Sequence, residues 1–305
     1  MSELRKPPIR VSFDSPNNIQ DMGSYKSHYE NSISNNDEYW LNVTLKRISW
    51  IKPPSIGLEG GFSEIDDSQI NWFSDGKLNV TESCLDQHIG SRGEKNAIIR
   101  EGDEPEEGRK ITYSELLKEV NSASNALRNL GIGKGDRVII YMGMVPEAAI
   151  SMLACARVGA IHSVVFGGFS ADSLRDGIQD CGAKILITQD EGMRGGKKIP
   201  LKETADDALD SDTSITNVIV FKRTGGVVPW VDERDLWWHE VVAGSSTDFT
   251  AVGCKSEDPL FILYTSGSTG KPKGLVHTCG GYITYASHTH RTVFDLSEDD
   301  VFVCV

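Results

Sequence analysis

Residues 263–274 have the sequence Leu-Tyr-Thr-Ser-Gly-Ser-Thr-Gly-Lys-Pro-Lys-Gly, a run of hydroxyls and glycines that ends with two lysines. The preceding residues, 259–264, are mostly apolar and predict a buried strand. Small residues let the backbone approach an anion, while hydroxyls, backbone N–H groups and lysines attract phosphate oxygens. We therefore favour a phosphate-binding loop over a flexible surface loop. Its candidate ligands are Thr265, Ser266, Gly267, Ser268, Thr269, Gly270, Lys271 and Lys273.

The spacing within this stretch differs from that of a Walker A loop. Walker A has four residues between its first glycine and a Gly-Lys pair, and Ser or Thr follows the lysine. Here Gly267 and Gly270 are three positions apart, and Pro272 follows Lys271. The spacing therefore disfavours a Walker-type NTPase.

The composition indicates an acidic globular protein. The chain has 305 residues, enough for one large domain or two ordinary ones. Its 44 acidic and 31 basic residues give a formal charge of −13, which argues against a general nucleic-acid binder. The six cysteines are scattered, without Cys-x-x-Cys or histidines at metal spacing, so we predict reduced thiols and no metal site. No apolar run suits a signal peptide or a membrane span, and we predict a cytoplasmic protein with no membrane partner.

The middle of the chain alternates between predicted strands and helices. Thr112 and Glu115 have the spacing of a helix capping box, and apolar residues on one face continue that helix to Gly131. Strands are predicted at 137–141, 161–165, 184–188 and 218–221, and helices at 147–158, 171–180 and 200–209. Such alternation predicts an α/β fold with a mostly parallel sheet and helices on both faces.

Two further segments follow predicted strands of this sheet. Residues 166–170 (Phe-Gly-Gly-Phe-Ser) follow one strand, and residues 192–198 (Gly-Met-Arg-Gly-Gly-Lys-Lys) follow another. Ligands of open parallel sheets bind beyond the carboxyl ends of the strands. Three cations in the second segment suit a phosphorylated ligand, although a solvated turn explains them equally well on chemistry alone.

Several stretches of the sequence resemble a known enzyme family. Residues 264–274 resemble the signature phosphate loop of the adenylate-forming (AMP-binding) enzymes, and residues 261–282 resemble their acetyl-CoA synthetase branch. Residues 37–40, 50–54, 72–80 and 84–88 resemble the amino-terminal extension of that branch. The polar composition of residues 1–36 predicts a flexible arm. The resemblance implies an extension at 37–90 and the first part of an AMP-binding domain at 91–305.

The same resemblance implies a binding segment for the nucleotide end of coenzyme A. Phe166, Gly167 and Gly168 would line its adenine side, Arg194 and Lys197 would meet its phosphates, and Gly195 and Gly196 would belong to the same binding segment. Family members often have arginine in place of Lys197, arginine in place of Gln87 and proline in place of Gly143. A lysine at 197 keeps the charge but loses the bidentate fork of arginine.

The resemblance also implies an activity. The parent protein would be a ligase that uses ATP, Mg²⁺ and coenzyme A to convert acetate to acetyl-CoA. The family's acyl pocket, its adenine and ribose contacts and its catalytic lysine would follow Val305. Residues 301–305 are apolar and read as a buried strand, so we expect a truncated chain that is inactive alone. A propionyl-CoA or other short-chain acyl-CoA synthetase and a non-catalytic nucleotide- or CoA-binding module stay open as alternatives.

Overall fold

A computed structural model describes residue 19 and residues 21–61, 70–102, 105–209, 213–265 and 273–304. The amino-terminal part forms α1 (Met22–Ser34), α2 (Asn36–Arg47), β1 (Trp50–Lys52), β2 (Leu58–Gly60), β3 (Ile70–Trp72), β4 (Lys77–Leu78), α3 (Gln87–Arg92), β5 (Asn96–Arg100) and β6 (Arg109–Thr112). The remainder forms α4 (Tyr113–Asn129), β7 (Arg137–Met142), α5 (Pro146–Val158), β8 (Ile161–Phe166), α6 (Ala171–Cys181), β9 (Ile185–Gln189), β10 (Gly192–Arg194), β11 (Lys197–Ile199), α7 (Leu201–Leu209), β12 (Asn217–Phe221), β13 (Asp235–Trp237), α8 (Trp238–Ala243), β14 (Cys254–Lys255), β15 (Pro259–Thr265), β16 (Lys273–Thr278) and α9 (Cys279–Thr292).

A mostly parallel sheet is the centre of the fold. Among the described residues, seven strands pair in the order β13-β12-β9-β7-β8-β15-β16. The first six run parallel, and β16 returns antiparallel to β15 at the edge. The predicted α/β class and parallel sheet are therefore confirmed. The strand predicted at 259–264 is also confirmed, although of these residues only Leu260 and Phe261 are buried.

Helices cover both faces of this sheet because successive residues of a strand point to opposite sides. Val138 and Ile140 of β7 pack into a core with α4, α5 and α8. Ile139 and Tyr141, on the other face of the same strand, pack against α6 and α7. A parallel strand buried on both faces explains the uninterrupted apolar character of residues 138–141.

The predicted helix ends follow from local chemistry. The Thr112 hydroxyl accepts a bond from the Glu115 backbone N–H, and the Glu115 carboxylate accepts one from the Thr112 N–H. This reciprocal cap fixes the start of α4, and Gly131 follows its end with φ of 81°. Pro146 occupies the first turn of α5, where its missing N–H costs nothing.

Buried polar side chains attach the amino-terminal part to the sheet. The Asn79 amide donates to the carbonyls of Ala156 and Val252 at 2.9 and 2.8 Å. Arg157, at the end of α5, donates to both carboxylate oxygens of Asp86 at 2.8 and 2.9 Å. The same guanidinium also donates to Thr81 and to the Phe249 carbonyl. Segments far apart in sequence thus meet at one guanidinium.

One predicted segment has a different structure. Residues 301–304 are exposed and irregular, so the buried strand predicted at 301–305 is wrong for the residues described; Val305 lies outside them. No described strand pairs with these residues, and an apolar run becomes a strand only beside a partner. Within the predicted arm, Met22–Ser34 is helical with no buried residue, and residues 1–18 lie outside the described residues.

In the described part of the chain, no helix has the length and apolarity to cross a membrane.

We predict that Arg157→Met lowers the free energy of unfolding by about 2–4 kcal/mol, because it leaves the Thr81 hydroxyl, the half-buried Asp86 carboxylate and the Phe249 carbonyl without this donor. Urea unfolding followed by circular dichroism measures this change. Arg92→Met is the matched control, since Arg92 and its partner Glu298 are 37% and 58% exposed and exposed pairs contribute about 0–1 kcal/mol. Equal losses in the two variants would contradict a special role for the buried guanidinium.

Candidate functional site

The carboxyl ends of parallel strands bring the predicted binding segments to one edge of the sheet. Phe166 ends β8, Gln189 ends β9 and Thr265 ends β15. Because these strands run in the same direction, the segments that follow them all emerge at this edge. In the order β9-β7-β8-β15, three strand spacings separate the outer two, or about 14 Å.

The loop after β8 is held against the sheet by its backbone. The buried Tyr141 hydroxyl donates to the Phe169 carbonyl at 2.9 Å, and the Phe169 N–H donates to the Phe166 carbonyl at 2.9 Å. A Cβ on Gly167 would lie 3.3 Å from the Met142 carbonyl oxygen, so the chain passes close to the end of β7. Gly168 is exposed, and the rings of Phe166 and Phe169 are 56% and 49% exposed. The loop therefore presents aromatic surface to solvent.

The cationic segment after β9 forms a two-stranded hairpin. Strands β10 and β11 pair antiparallel, with Arg194 opposite Lys197. The turn residues Gly195 and Gly196 have φ of 56° and 73°, which a two-residue hairpin turn of this hand requires and which other residues adopt at a cost. The predicted turn is thus the tip of a hairpin, and Arg194 and Lys197 flank it.

The hairpin and the aromatic loop meet. The Arg194 guanidinium carbon lies 5.6 Å from the centroid of the Phe166 ring, within range of a cation–π contact. Across the residues that the structure describes, neither Arg194 nor Lys197 has a carboxylate within salt-bridge distance. The two segments therefore join into one surface with an aromatic ring and two uncompensated cations.

An acidic residue that sequence reasoning missed organises the base of the hairpin. The fully buried Asp190 carboxylate accepts bonds from the backbone N–H groups of Arg223, Thr224 and Gly225 at 2.8, 3.1 and 2.8 Å. It thereby ties the loop after β12 to the end of β9. The signal was an aspartate directly after a strand, combined with a later Thr-Gly-Gly at 224–226.

The loop after β7 joins the same base. The Gly143 N–H donates to the Gln189 side-chain oxygen at 3.1 Å, a bond that a proline at 143 could not make. The Gln189 amide in turn donates to the Glu191 carbonyl at 2.8 Å. Three loops at the carboxyl edge are thus connected by direct hydrogen bonds.

The predicted phosphate loop lies between β15 and β16. Thr265 and Lys273 are register partners, both exposed, at the mouth of this strand pair. Ser266, Gly267, Ser268, Thr269, Gly270 and Lys271 lie outside the described residues. The Tyr264 hydroxyl donates to the Asp180 carboxylate at 2.7 Å, which ties the end of β15 to α6. Burial is the main cause that raises the pKa of Tyr264, and the Asp180 acceptor adds to it.

Aromatic rings connect β8, β15 and β16 beneath the site. The Phe261 ring stacks on His277 at 4.6 Å between centroids and contacts His162 at 5.5 Å. His277 lies in β16. Burial lowers the pKa of His162 to about 4, and its Nδ1 has no hydrogen-bond partner among the described residues. His162 is therefore a neutral core side chain.

No cluster of three metal-ligating side chains occurs in the portion of the chain that the structure describes. The site is instead built from cations, ring surface and backbone groups. Lys198 and then the Thr224 hydroxyl lower the pKa of Glu191, so this carboxylate is ionised beside the cationic hairpin. Such a surface can bind an aromatic, multiply phosphorylated ligand.

Two protein-family models match the chain. A model described as "AMP-binding enzyme" matches residues 85–305, and one described as "Acetyl-coenzyme A synthetase N-terminus" matches residues 25–84. The boundaries that the sequence predicts at residues 36 and 90 stay predictions.

Curated relatives and a solved structure show the same likeness. Acetyl-coenzyme A synthetase of Shewanella frigidimarina is 52% identical over 290 residues, covering 94% of this chain and 44% of the relative. The enzyme of that name from Aeromonas salmonicida is 48% identical over 305 residues, covering 100% of this chain and 47% of the relative. The structure of an acetoacetyl-CoA synthetase from Streptomyces lividans matches with a TM-score of 0.81 and 27% identity, over 91% of this chain and 41% of that one. The chain thus spans less than half the length of each.

His162 predicts a pH dependence of stability. Its pKa in the folded state, about 4, lies below its ordinary value of 6.5, so the unfolded chain binds more protons between these values. Stability from this residue is present above pH 6.5 and is lost as the pH falls towards 4. We expect His162→Phe to lose about 2 kcal/mol less unfolding free energy than wild type between pH 7 and pH 5, as urea titrations would measure. Val165→Ala, a buried change without a titrating group, serves as the control. An unchanged loss in His162→Phe would disprove the assignment.

Proposed function

The chain belongs to the AMP-binding enzyme family, and from that membership we propose that it is the part of an acetyl-CoA-forming ligase that holds the phosphates of ATP and the nucleotide end of coenzyme A. The observation that carries this proposal is the junction of Arg194 with Phe166 at the carboxyl edge of the sheet. A cation and an exposed ring in contact, beside a second cation, suit an adenine nucleotide with several phosphates. The likeness to enzymes named acetyl-coenzyme A synthetase supports acetate as the acid.

The reaction proceeds in two steps in this proposal. An acetate oxygen attacks the α-phosphorus of ATP, the bond to the β-phosphate bridging oxygen breaks, and pyrophosphate leaves with acetyl-adenylate as the product. The sulfur of coenzyme A then attacks the acetyl carbonyl, the bond to AMP breaks, and the thiol proton is released. The protein's part is to position anions and to stabilise developing negative charge.

Thr265 and Lys273 support the first step. Both are exposed at the mouth of the β15–β16 pair, so a hydroxyl and an ammonium frame residues 266–272. We assign the β- and γ-phosphates of ATP to this segment, with Ser266, Gly267, Ser268, Thr269, Gly270 and Lys271 as further ligands. Mg²⁺ enters as part of the MgATP substrate, since Mg²⁺ is commonly held by substrate phosphates.

The hairpin and the aromatic loop support the second step. Phe166 offers a ring and Gly168 offers exposed backbone to adenine, with Gly167 buried at the base of the loop, while Arg194 and Lys197 offer charge to the phosphates. Gly195 and Gly196 let the hairpin turn tightly between these two cations. The uncompensated charge is notable in a chain of net charge −13, because it concentrates attraction for an anion at one place.

Two other functions are separated by simple assays. A synthetase for propionate or another short acid would show the same nucleotide chemistry with a different acid preference. A non-catalytic nucleotide- or CoA-binding module would bind these ligands without acid-dependent exchange of pyrophosphate into ATP. For either enzyme we propose a cytoplasmic location, where its small-molecule substrates occur.

We expect Lys273→Ala to slow acetate-dependent ATP–pyrophosphate exchange by about ten- to a hundredfold, because it removes a charge from the phosphate segment. Lys271→Ala should act in the same direction. The assay uses an enzyme in which this chain is continued by the remaining segments of a curated relative. Lys255→Ala, which changes an exposed lysine of β14, is the control. Full exchange in both lysine variants would remove these side chains from the mechanism, and exchange faster with propionate than with acetate would reassign the acid.

Coenzyme A binding to the 305-residue chain tests the second segment. Arg194→Ala should weaken binding by roughly ten- to a hundredfold, because a charge-assisted hydrogen bond contributes about 1.5–3 kcal/mol. Lys197→Arg should tighten it, since the guanidinium fork can meet a phosphate with two bonds. Titration calorimetry gives both values. Arg128→Ala, which removes an arginine lying over Phe249 elsewhere on the molecule, should bind like wild type. Unchanged binding in Arg194→Ala would overturn the assignment.

A further inference from the structure

The cationic hairpin is anchored on one face by an acidic residue, and we propose that Glu191 is a positioning residue that makes the site bind its anion more tightly. This inference rests on the proposed nucleotide site. A favourable effect of Glu191 on anion affinity is unusual, because an acid close to an anion site is expected to weaken binding by repulsion. The effect of Glu191 depends on which face of the hairpin each cation occupies.

The register of the hairpin separates its three cations between two faces. Arg194 lies opposite Lys197, and Met193 lies opposite Lys198. Opposed residues of an antiparallel pair share a face, and neighbouring residues point to opposite faces. Arg194 and Lys197 therefore occupy one face, and Lys198 occupies the other.

Glu191 joins the hairpin face that carries Lys198 to the loop after β12. Its carboxylate accepts a bond from the Lys198 ammonium at 2.7 Å and a short bond from the Thr224 hydroxyl. Thr224 belongs to the loop that the buried Asp190 carboxylate fixes through backbone N–H groups. The hairpin is thus joined through Glu191 to a part of the structure that is itself held by buried hydrogen bonds.

The three cations of the hairpin therefore have different roles. Lys198 is neutralised by its partner and orients the hairpin. Arg194 and Lys197 stay without a carboxylate partner in the described part of the chain, and Arg194 is placed over the Phe166 ring. Without Glu191, ordering the hairpin on the ligand would cost part of the binding free energy.

The sign of the effect gives a clean test. We would measure the dissociation constant of adenosine 3′,5′-bisphosphate by titration calorimetry, at one ionic strength, for the 305-residue chain and its variants. Glu191→Gln should weaken binding about three- to tenfold, which corresponds to the ordering cost of one or two side chains. Thr224→Val, which removes the other contact of Glu191 without changing the charge, should also weaken binding. Binding by Glu191→Gln that is as tight as wild type, or tighter, would overturn the proposal.

A spectroscopic signature separates positioning from general stability. The Arg194 side-chain protons lie near the Phe166 ring, so its ring current should shift their NMR signals. Glu191→Gln should move these signals towards the positions of an unstructured arginine in the absence of ligand. Unchanged signals together with weakened binding would also reject positioning.

The opposite edge of the sheet supplies a matched control. Lys184 and Asp136 form an ion pair there, with side chains 47% and 19% exposed, against 57% and 20% for Lys198 and Glu191. Asp136→Asn should therefore leave both binding and the Arg194 signals unchanged. Arg194→Ala tests the nucleotide site itself. If wild type and Arg194→Ala bind the probe equally, the proposed nucleotide site is rejected, and the role of Glu191 is rejected with it. If only Glu191→Gln behaves like wild type, the positioning role fails and the nucleotide site stands.

Discussion

The parallel pairing of β9, β7, β8 and β15 is the constraint on which the candidate site depends. Each strand pairs with its neighbours through backbone hydrogen bonds. Because these strands run in the same direction, the segments that follow them emerge at the same edge of the sheet. Residues that are about 100 positions apart in sequence, such as Phe166 and Thr265, therefore emerge near each other. An antiparallel arrangement of the same strands would separate them to opposite edges. The direction of the strands alone therefore brings the segments of the candidate site to one edge of the sheet.

The basic side chains around the hairpin differ in their contacts. Buried Lys202 contacts Asp206 and Asp235, and Lys198 contacts Glu191. Arg194 differs, since its described contact is the face of Phe166. In an acidic protein, two such cations on a rigid base attract an anion locally, while the net negative charge repels polyanions elsewhere. Rigidity here comes from Asp190, whose carboxylate replaces water by backbone N–H groups.

Much of the fold was predictable because the relevant signals are local. The capping box at Thr112 and Glu115, Pro146 at the start of α5 and the buried apolar strands all act within a few residues of themselves. The site was predictable in part, since motifs after strand ends indicate the carboxyl edge. The Asp190 contacts were not, because their partners lie 33 to 35 positions later and only folding brings them together. The strand predicted at 301–305 failed for a related reason, since pairing depends on a neighbour and not on apolarity alone.

We propose that the loop after β8 and the hairpin after β9 form one binding surface for the nucleotide end of coenzyme A. Hydrogen–deuterium exchange of the 305-residue chain, with and without coenzyme A, tests it most directly. The account predicts slower exchange at residues 166–170 and 192–199 together, with little change in α4 on the far side of the sheet. Slower exchange in only one of these segments, or in neither of them while another region is protected, would contradict it.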